Sequence, residues 1–249
     1  NWAIFLQNAL SFNPIPFVLG KKGAAQCLSS NKKEKSKIIL IPRDCGKHAG
    51  ESPRTINGPD GFVFHHLNAY EKDNKIYLDS IYYKDFPSIG PDEDFRDIDF
   101  NSLPEGKLKR CAINLTNSTI KENLFSPQCC EFAMVNPTKQ GYEAQFSWMA
   151  VTNSSEGNGP LQGIKKLDLT NNKKLIWSAA PRGFVSEPLF IPHINCEHED
   201  SGWVICLTWN AAEKTTELVI LDSQDLTLRC KLEIPFPIPH GLHGSWVNN

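Results

Sequence analysis

The chain consists of short apolar runs that alternate with polar turns. Phe62–Glu71 and Lys75–Tyr83 are strand-like runs on either side of Lys72-Asp73-Asn74, an arrangement that predicts a β-hairpin. Long runs with a helical period are absent, and 17 prolines interrupt the sequence. The other runs that we interpret as strands are Lys37–Ile41, Tyr142–Val151, Ile164–Leu169, Lys174–Ser178, Trp203–Trp209, Glu217–Leu221 and Thr227–Ile234. We therefore predict an all-β fold with one or two short helical turns.

A weak internal repeat points to one kind of all-β architecture. Leu167–Asn171 is followed by Lys174–Trp177, and Leu221–Asp225 is followed by Leu226–Leu228. Each unit is a strand that ends in Leu-Asp, then a polar turn, then a second strand. Recurring hairpins of this kind are typical of β-propeller blades, whose repeats are about 40–50 residues long. Any antiparallel meander could produce the same repeat, so this signal alone leaves the architecture open.

Length, composition and charge narrow the class of protein. At roughly 100–200 residues per domain, 249 residues allow one large domain or two small ones. A content of 40% hydrophobic and 22% charged residues fits a folded globular chain. The net charge is only −2, from 26 basic and 28 acidic side chains, so we expect no nucleic-acid partner. No apolar run approaches the roughly 18 residues that a transmembrane helix needs.

Two adjacent histidines lie in one of the predicted strands. Side chains alternate between the two faces of a strand, so His65 should share a face with Val63 and Leu67, and His66 should share the other with Phe64. At most one of the two histidines can then face a given metal ion. This segment by itself favours a plainer interpretation, a core or edge histidine that is satisfied by a backbone carbonyl.

A third candidate, His243, lies in the proline- and glycine-rich segment Pro235–Trp246. Such a composition forces a turn-rich and tightly specified backbone. A solvent-exposed C-terminal loop explains this segment about as well as a metal ligand does.

Glu131 and Glu187 are each embedded among apolar residues. Burial of an unpaired carboxylate is costly, so each should have a partner. A metal-bound imidazole, which offers its second N–H to a carboxylate, is one such partner. For either glutamate taken alone, an ordinary ion pair with lysine or arginine is the stronger interpretation.

Together these motifs resemble those of the carotenoid cleavage oxygenases, a family that includes the retinoid isomerase of the retinal pigment epithelium. The matching stretches are Trp2–Phe5, Leu10–Pro14, Phe64–Glu71, Glu131–Pro137, Ser186–Pro192 and Gly241–Gly244. Each motif is only moderately specific, but their order and spacing extend across nearly the whole chain.

The resemblance implies a seven-bladed β-propeller with a non-haem Fe(II) on its axis, held by four histidines that three glutamates orient. Residue by residue, His65 resembles the third iron ligand and His243 the fourth, while Glu131 and Glu187 resemble two of the orienting carboxylates. The remaining ligands and glutamate would lie upstream of the first residue. Residues 1–249 would then be a single domain, the C-terminal portion of a propeller truncated at its N-terminus. We expect this portion alone to be inactive and poorly soluble.

The resemblance also implies an activity: an Fe(II)-dependent dioxygenase that cleaves a C=C bond of a carotenoid or apocarotenoid with O2, giving aldehyde or ketone products. Neutral imidazoles suit Fe(II) and leave it dicationic, with open positions for O2. The partners would be O2 and a hydrophobic polyene that reaches the iron through an apolar tunnel. Three alternatives stay open: a non-catalytic propeller that serves as an interaction module, retinoid isomerohydrolysis, and stilbene cleavage. The compartment, cytoplasm or plastid, stays open too.

One segment suits contact with a membrane. An apolar, proline-broken stretch contains Phe12, Ile15, Phe17 and Leu19 and is followed by Lys21-Lys22. Apolar side chains beside cations suit shallow docking on a membrane face, and the corresponding region of the family lies near the membrane-facing mouth of its tunnel. A buried connection between blades is an equally good interpretation of the same residues.

Overall fold

The computed structural model of the protein describes residues 1–31, 33–87, 97–195 and 197–247. In these residues the chain forms eighteen β-strands, a few 3₁₀ turns and the short helix α1 (Pro14–Val18), so the all-β prediction is confirmed. The strands are β1 (Trp2–Gln7), β2 (Leu10–Phe12), β3 (Leu28–Ser30), β4 (Lys37–Pro42), β5 (Arg54–Asn57), β6 (Phe62–Lys72), β7 (Lys75–Tyr83), β8 (Lys107–Asn114), β9 (Ile120–Leu124), β10 (Cys130–Val135), β11 (Phe146–Thr152), β12 (Leu161–Asp168), β13 (Lys174–Ser178), β14 (Gly183–Val185), β15 (Leu189–Pro192), β16 (Gly202–Asn210), β17 (Thr215–Asp222) and β18 (Leu228–Ile234). Within this part of the chain, no helix has the length and apolar character needed to cross a membrane.

The strands form antiparallel sheets that follow one another along the chain. The first sheet contains β1, β4 and β5, and β2 and β3 make a separate ribbon. The second sheet is β6–β9, the third is β10–β13, and the fourth is β14–β18, in which β14 and β15 both pair with β16. In the second and third sheets each strand pairs with the next one in sequence, which makes an up-and-down meander. Successive meanders of this size are the architecture of propeller blades.

The predicted hairpin is present as β6 and β7, and its turn explains the residue types found there. Asp73 and Asn74 have left-handed backbones, with φ of 50° and 57°. Two-residue turns whose twist matches the flanking strands need this conformation at both positions, and Asp and Asn tolerate it. Lys72 and Lys75 pair directly across the turn. The turn thus sets the register at one end of β6, the strand that carries His65.

The internal repeat of the sequence corresponds to a structural repeat. Asp168 and Asp222 begin the turns that lead into the last strands of the third and fourth sheets. The side chain of Asp168 accepts a hydrogen bond from the backbone N–H of Thr170 (2.8 Å), and that of Asp222 accepts one from Gln224 (2.8 Å). Both are Asx-type turns, in which the side chain substitutes for a backbone acceptor. The recurring Leu-Asp pair therefore marks the same place in successive sheets.

One strand begins later than the sequence predicts. The apolar pattern predicts a strand over Tyr142–Val151, but β11 begins at Phe146. The backbone N–H of Tyr142 donates instead to the carbonyl of Lys139 in a turn (3.0 Å), and its side chain is 70% exposed. The backbone N–H of Phe146 donates to a carboxylate oxygen of Glu199 (2.9 Å), which ends the irregular stretch.

Three apolar cores join the sheets face to face. The core between the second and third sheets includes Phe62, Ile81 and Leu108 from one side and Met149 and Val151 from the other. A second core joins the first sheet to the second, and a third joins the third sheet to the fourth. This packing brings the first strands of neighbouring sheets, β6 and β10, into contact with each other. The candidate site is built on these strands.

A buried lysine in this packing gives a prediction on stability. Lys165 on β12 is fully buried, and its Nζ donates to Ser126 Oγ (3.0 Å). Burial lowers the pKa of its amine from an ordinary 10.5 to about 8. At neutral pH, folding must bury a charged amine, which lowers the stability of the folded protein. This penalty is lost as the pH rises from about 8, the pKa of the buried amine, to 10.5, its ordinary value. We predict that Lys165→Met raises the melting temperature of the full-length protein at pH 7 by several degrees, an advantage that is lost by pH 10.5.

The adjacent lysine is the matched control. Lys166 has its ammonium 2.5 Å from Asp200 Oδ2, so its charge is paired. Lys166→Met should lower the melting temperature at neutral pH, because it leaves that carboxylate without its partner. A Lys165→Met variant that melts below the wild type at pH 7 would contradict this account of the buried amine.

Candidate metal centre

The first strands of three consecutive sheets are interrupted, and each interruption holds one residue that the sequence analysis singled out. In β6 the pairing with β7 shifts between Val63 and His66 and again between His66 and Asn68. These shifts place an irregular stretch of backbone around His65. Bulges of this kind re-aim side chains and are common beside active sites.

The bulges in β6 make the simple alternation of faces wrong. Val63 packs in the core between the first and second sheets, whereas Leu67 packs in the core between the second and third. The two residues lie on opposite faces, although regular alternation would put both with His65. The adjacent histidines do diverge, since His66 Nδ1 lies 2.7 Å from Ser80 Oγ on β7 while His65 reaches β10.

Glu131 lies at a bulge in β10, the first strand of the third sheet. The pairing with β11 shifts between Glu131 and Met134, and Phe132 has a left-handed backbone with φ of 54°. A bulky residue in this conformation is a genuine outlier, at a cost of about 1–2 kcal/mol. This backbone directs the N–H of Phe132 onto Glu131 Oε2 (2.8 Å). The bulge therefore supplies the carboxylate with one of its donors.

Glu187 lies in the third interruption, between β14 and β15. His243 lies after β18, in residues 235–247, which form neither strand nor helix. Glu187 contacts this segment twice. Its Oε1 lies 3.1 Å from His243 Nδ1, and its Oε2 accepts the backbone N–H of Gly244 at 2.7 Å. One carboxylate thus holds both the imidazole and the backbone next to it.

The two imidazoles meet at one point. The Nε2 atoms of His65 and His243 are 3.2 Å apart, and the ring planes cross at 84°. Each Nδ1 lies near a carboxylate oxygen, at 2.7 Å for Glu131 and 3.1 Å for Glu187. Because a carboxylate only accepts, each Nδ1 carries the proton, and in a neutral ring each Nε2 then carries the lone pair. Two such lone pairs repel each other unless a proton on one ring, or a shared cation, lies between them.

This arrangement of donors fits a metal ion. Two imidazole nitrogens about 2.1 Å from one ion, in neighbouring positions of an octahedral or tetrahedral shell, are about 3.0–3.4 Å apart. The observed 3.2 Å lies in this range. Among residues 1–31, 33–87, 97–195 and 197–247, no group of three or more His, Cys, Asp or Glu could hold a metal ion. The described chain therefore offers a pair of imidazoles and not a complete coordination shell.

Within the described residues, both glutamates pair with histidines and not with lysine or arginine. In the described part of the chain, neither Glu131 nor Glu187 lies within ion-pair distance of a lysine or arginine, and each pairs with a histidine. Their side chains are only 13% and 20% exposed. The ordinary ion pair that each glutamate alone would favour is therefore wrong, and imidazole N–H groups satisfy the carboxylates instead.

Two aromatic residues at the site have roles that the sequence analysis missed. Tyr83, at the end of β7, donates its hydroxyl to Glu131 Oε1 at 2.5 Å. Burial raises the pKa of Tyr83 well above its usual range, and the adjacent carboxylate raises it further, so the hydroxyl stays protonated. The Phe132 ring lies 5.4 Å from the ring of His65 and 5.8 Å from that of His243, between centroids. Phe132 belongs to one of the stretches on which the resemblance to the family rests, but Tyr83 carries no signal in the sequence.

An open, mainly apolar cavity of about 350 Å³ adjoins Glu131. It is lined by Tyr83, Phe100, Cys129, Cys130, Glu131, Phe132, Asn158, Gly159, Pro160, Leu161, Phe184, Val185, Ser186, His240 and Gly241. Burial raises the pKa of the Cys130 thiol to about 12. A thiol ligates metals as the thiolate, so Cys130 is a poor ligand and serves as part of the apolar wall.

The apolar segment near the N-terminus is exposed. Helix α1 has no buried residue. Phe12, Ile15, Phe17 and Leu19 are 47%, 66%, 49% and 62% exposed. On this chain, these side chains therefore form an open apolar patch.

The fold and the site together define a class: an all-β protein of successive blade-like sheets, with carboxylate-bound histidines gathered where the first strands are interrupted. Comparison with known proteins agrees with this class. Residues 1–248 match the family described as Retinal pigment epithelial membrane protein, so the chain belongs to that family. The identification as a carotenoid cleavage oxygenase relative is thereby confirmed.

Individual relatives place the chain more closely. It is 41% identical to the apocarotenoid-15,15'-oxygenase of Synechocystis, over 99% of this chain and 50% of the relative. It is 28% identical to resveratrol cleavage oxygenase 1 of Botryotinia fuckeliana, over 84% of this chain and 41% of the relative. The solved structure of cobalt-substituted Synechocystis apocarotenoid oxygenase matches with a TM-score of 0.94 and 40% identity, over 100% of this chain and 51% of that one. The chain thus has the β-propeller fold type of this family and spans about half the length of these relatives.

The double contact of Glu187 gives a prediction on local order. Gly244 is exposed, so its N–H is protected mainly by the hydrogen bond to Glu187 Oε2. We predict that Glu187→Ala accelerates amide hydrogen exchange at Gly244 about tenfold in the metal-free, full-length protein. Hydrogen-exchange mass spectrometry of peptides that cover residues 239–247 measures this rate.

Ser186→Ala is the matched control for this measurement. The Ser186 hydroxyl accepts the N–H of Leu207 on β16 (3.1 Å), so its loss should leave residues 239–247 unchanged. Unaltered exchange in Glu187→Ala, or an equal acceleration in both variants, would show that the carboxylate does not hold the segment.

Proposed function

We propose that the full-length protein is a non-haem Fe(II)-dependent dioxygenase that cleaves a C=C bond of a carotenoid or apocarotenoid with O2. One observation carries this proposal: the Nε2 atoms of His65 and His243, 178 residues apart in sequence, are separated by 3.2 Å while a glutamate holds each Nδ1. The names of the relatives supply the substrate class. One C=C bond and one O2 give two C=O groups, so the reaction balances with aldehyde or ketone products.

The residues of this chain would bind and orient. His65 and His243 would hold the iron through Nε2, and Fe(II), when bound, supplies the redox chemistry with O2 that side chains lack. Glu131 and Glu187 fix the rings, keep the proton on Nδ1 and place negative charge near the dication. Because two imidazoles do not complete a shell, further ligands are expected from the part of the protein outside this chain. The similar Synechocystis enzyme has a cobalt-substituted form, which supports the proposal that this protein binds a metal.

The sheets would be consecutive blades of a seven-bladed propeller with the iron on its axis. The interrupted strands β6, β10 and β14 each begin a sheet, and this is where the site residues gather. In a propeller the blades surround a central channel, so residues from several blades can meet there. Residues 1–249 would form one domain as the C-terminal portion of that ring.

The cavity beside Glu131 would take an apolar part of the substrate. Its volume of about 350 Å³ suits a segment of a polyene more than a whole one. Tyr83, Glu131 and Phe132 belong both to the cavity wall and to the site. A molecule in the cavity would therefore lie against the residues that hold His65.

Stilbene cleavage is the second candidate, because a resveratrol cleavage oxygenase is 28% identical over 84% of the chain. The 41% identity to an apocarotenoid oxygenase over 99% of the chain favours the first. Retinoid isomerohydrolysis has only the family description in its support. A non-catalytic interaction module gives no reason for two imidazoles to share one point, so their convergence counts against it.

Removal of either proposed ligand tests the function. We predict that His65→Ala and His243→Ala each lower product formation more than about a hundredfold and lower the bound iron of the full-length protein. His66→Ala is the matched control, since His66 contacts Ser80 and should keep both activity and iron. The measurement is aerobic incubation with a panel of apocarotenoids and stilbenes, with product masses and iron content determined together.

Each outcome of this experiment has a distinct meaning. Retained turnover in His65→Ala or His243→Ala would contradict the ligand assignment. Cleavage of stilbenes but not apocarotenoids would favour the second candidate. A folded wild-type protein without iron or turnover would favour an interaction module.

We also propose a peripheral membrane contact through the patch at α1, which would give access to a hydrophobic substrate. Phe12, Ile15, Phe17 and Leu19 are exposed there, and the exposed Lys21-Lys22 follows them. Apolar side chains can enter the acyl boundary while cations contact anionic headgroups. The contact would be shallow and reversible.

Loss of apolar side chains from the patch tests this contact. We predict that the double variant Ile15→Ser, Phe17→Ser weakens binding of the full-length protein to phosphatidylcholine–phosphatidylserine vesicles about tenfold, as measured by co-sedimentation. Leu232→Ser is the control, because Leu232 is 51% exposed on β18, in another sheet. Unchanged binding of the double variant, or equal loss in the control, would exclude the patch as the docking surface.

A further inference from the structure

Tyr83 belongs to the cavity wall, but the proposed function assigns its hydroxyl no role. Its hydroxyl donates to Glu131 Oε1 at 2.5 Å, while Glu131 Oε2 lies 2.7 Å from His65 Nδ1. We propose that Tyr83 is a positioning residue whose hydroxyl fixes the Glu131 carboxylate in the orientation that aims His65 at the metal, a role that rests on the proposed metal site. Tyr83 would act through Glu131 and would not touch the metal.

The Glu131 carboxylate needs this third donor. Its other two donors, the Phe132 backbone N–H and His65 Nδ1, both engage Oε2. The terminal torsion of a glutamate is broad, so a carboxylate that is held through one oxygen alone can rotate. The Tyr83 hydroxyl holds the opposite oxygen and removes that freedom. Rotation of the carboxylate would otherwise carry the His65 ring with it.

Tyr83 can serve as a fixed reference because its own ring is held firmly. It is 8% exposed, pairs with Phe62 across the β6–β7 ladder, and contacts the Phe64 ring edge-to-face at 5.5 Å between centroids. Gly106 makes room for it, since a Cβ at that position would lie 2.8 Å from the Tyr83 hydroxyl oxygen. The hydroxyl therefore has a set position in the same sheet that carries His65.

A neutral donor also preserves the charge of the carboxylate. Asp79, on the same strand as Tyr83, accepts two hydrogen bonds of 2.7 Å from the Arg110 guanidinium, which cancels its charge. Tyr83 gives Glu131 a short hydrogen bond without a positive charge. Burial raises the pKa of Tyr83, so the phenol remains a neutral donor. Glu131 thus keeps its negative charge for the imidazole and for a cation beyond it.

Tyr83→Phe tests the proposal, because it removes the hydroxyl and keeps the ring. In iron-depleted, full-length protein we expect the variant to bind Co(II) about tenfold more weakly than the wild type, with shifted visible absorption bands of bound Co(II). Tyr82→Phe is the matched control. Tyr82 is also buried, but its hydroxyl lies 3.3 Å from Cys111 Sγ, so its loss should leave Co(II) affinity and spectrum unchanged. The melting temperatures of both variants separate this effect from a loss of folding.

A double-mutant cycle with Glu131→Ala tests whether Tyr83 acts on the metal site through Glu131. If Tyr83 acts through Glu131, then Tyr83→Phe costs about tenfold in affinity when Glu131 is present and about twofold or less when it is absent. Wild-type affinity and spectrum in Tyr83→Phe, or a full tenfold loss in the Glu131→Ala background, would overturn the proposal. A folded wild-type protein that binds neither Co(II) nor Fe(II) would instead overturn the proposed metal site.

Discussion

The candidate site is built around two imidazole Nε2 atoms that face each other across 3.2 Å. Neither Nδ1 is free to take up a different proton arrangement, because Glu131 and Glu187 each accept from one ring. Two neutral rings in this arrangement repel each other, and the proposed divalent cation would satisfy both His65 and His243 at once. The histidine pair, more than the fold or the cavity, is what supports the proposed metal chemistry.

Regular β-structure could not bring these residues together. The three apolar cores fix the sheets, and the side chains that matter lie where strand pairing fails, at the bulges in β6 and β10 and in the gap between β14 and β15. The left-handed backbone of Phe132 shows the conformational strain that this placement requires. His243 lies outside any strand. Its segment is held in place by hydrogen bonds to the Glu187 carboxylate instead of by strand pairing. The regular sheets thus support the site, and the irregular backbone at the strand interruptions orients its side chains.

Much of the fold could be predicted from the sequence, but less of the site. The hairpin at Asp73-Asn74 and the Leu-Asp turns follow from local residue preferences, which act over a few positions. β8 could not be predicted, because Lys107–Asn114 mixes basic and apolar side chains without regular alternation. No local sequence pattern predicts the bulges in β6, the strain at Phe132 or the hydrogen bond from Tyr83, because these features depend on packing between sheets. The assignment of the two distant histidines came from resemblance to a family and not from spacing.

The central claim is tested most directly by anomalous diffraction at the iron edge, from crystals of the full-length protein prepared with Fe(II). We predict one peak about 2.1 Å from the Nε2 atoms of both His65 and His243, with Glu131 and Glu187 still bound to the opposite nitrogens. A peak elsewhere, or two imidazoles that turn away from a common centre at saturating Fe(II), would contradict it.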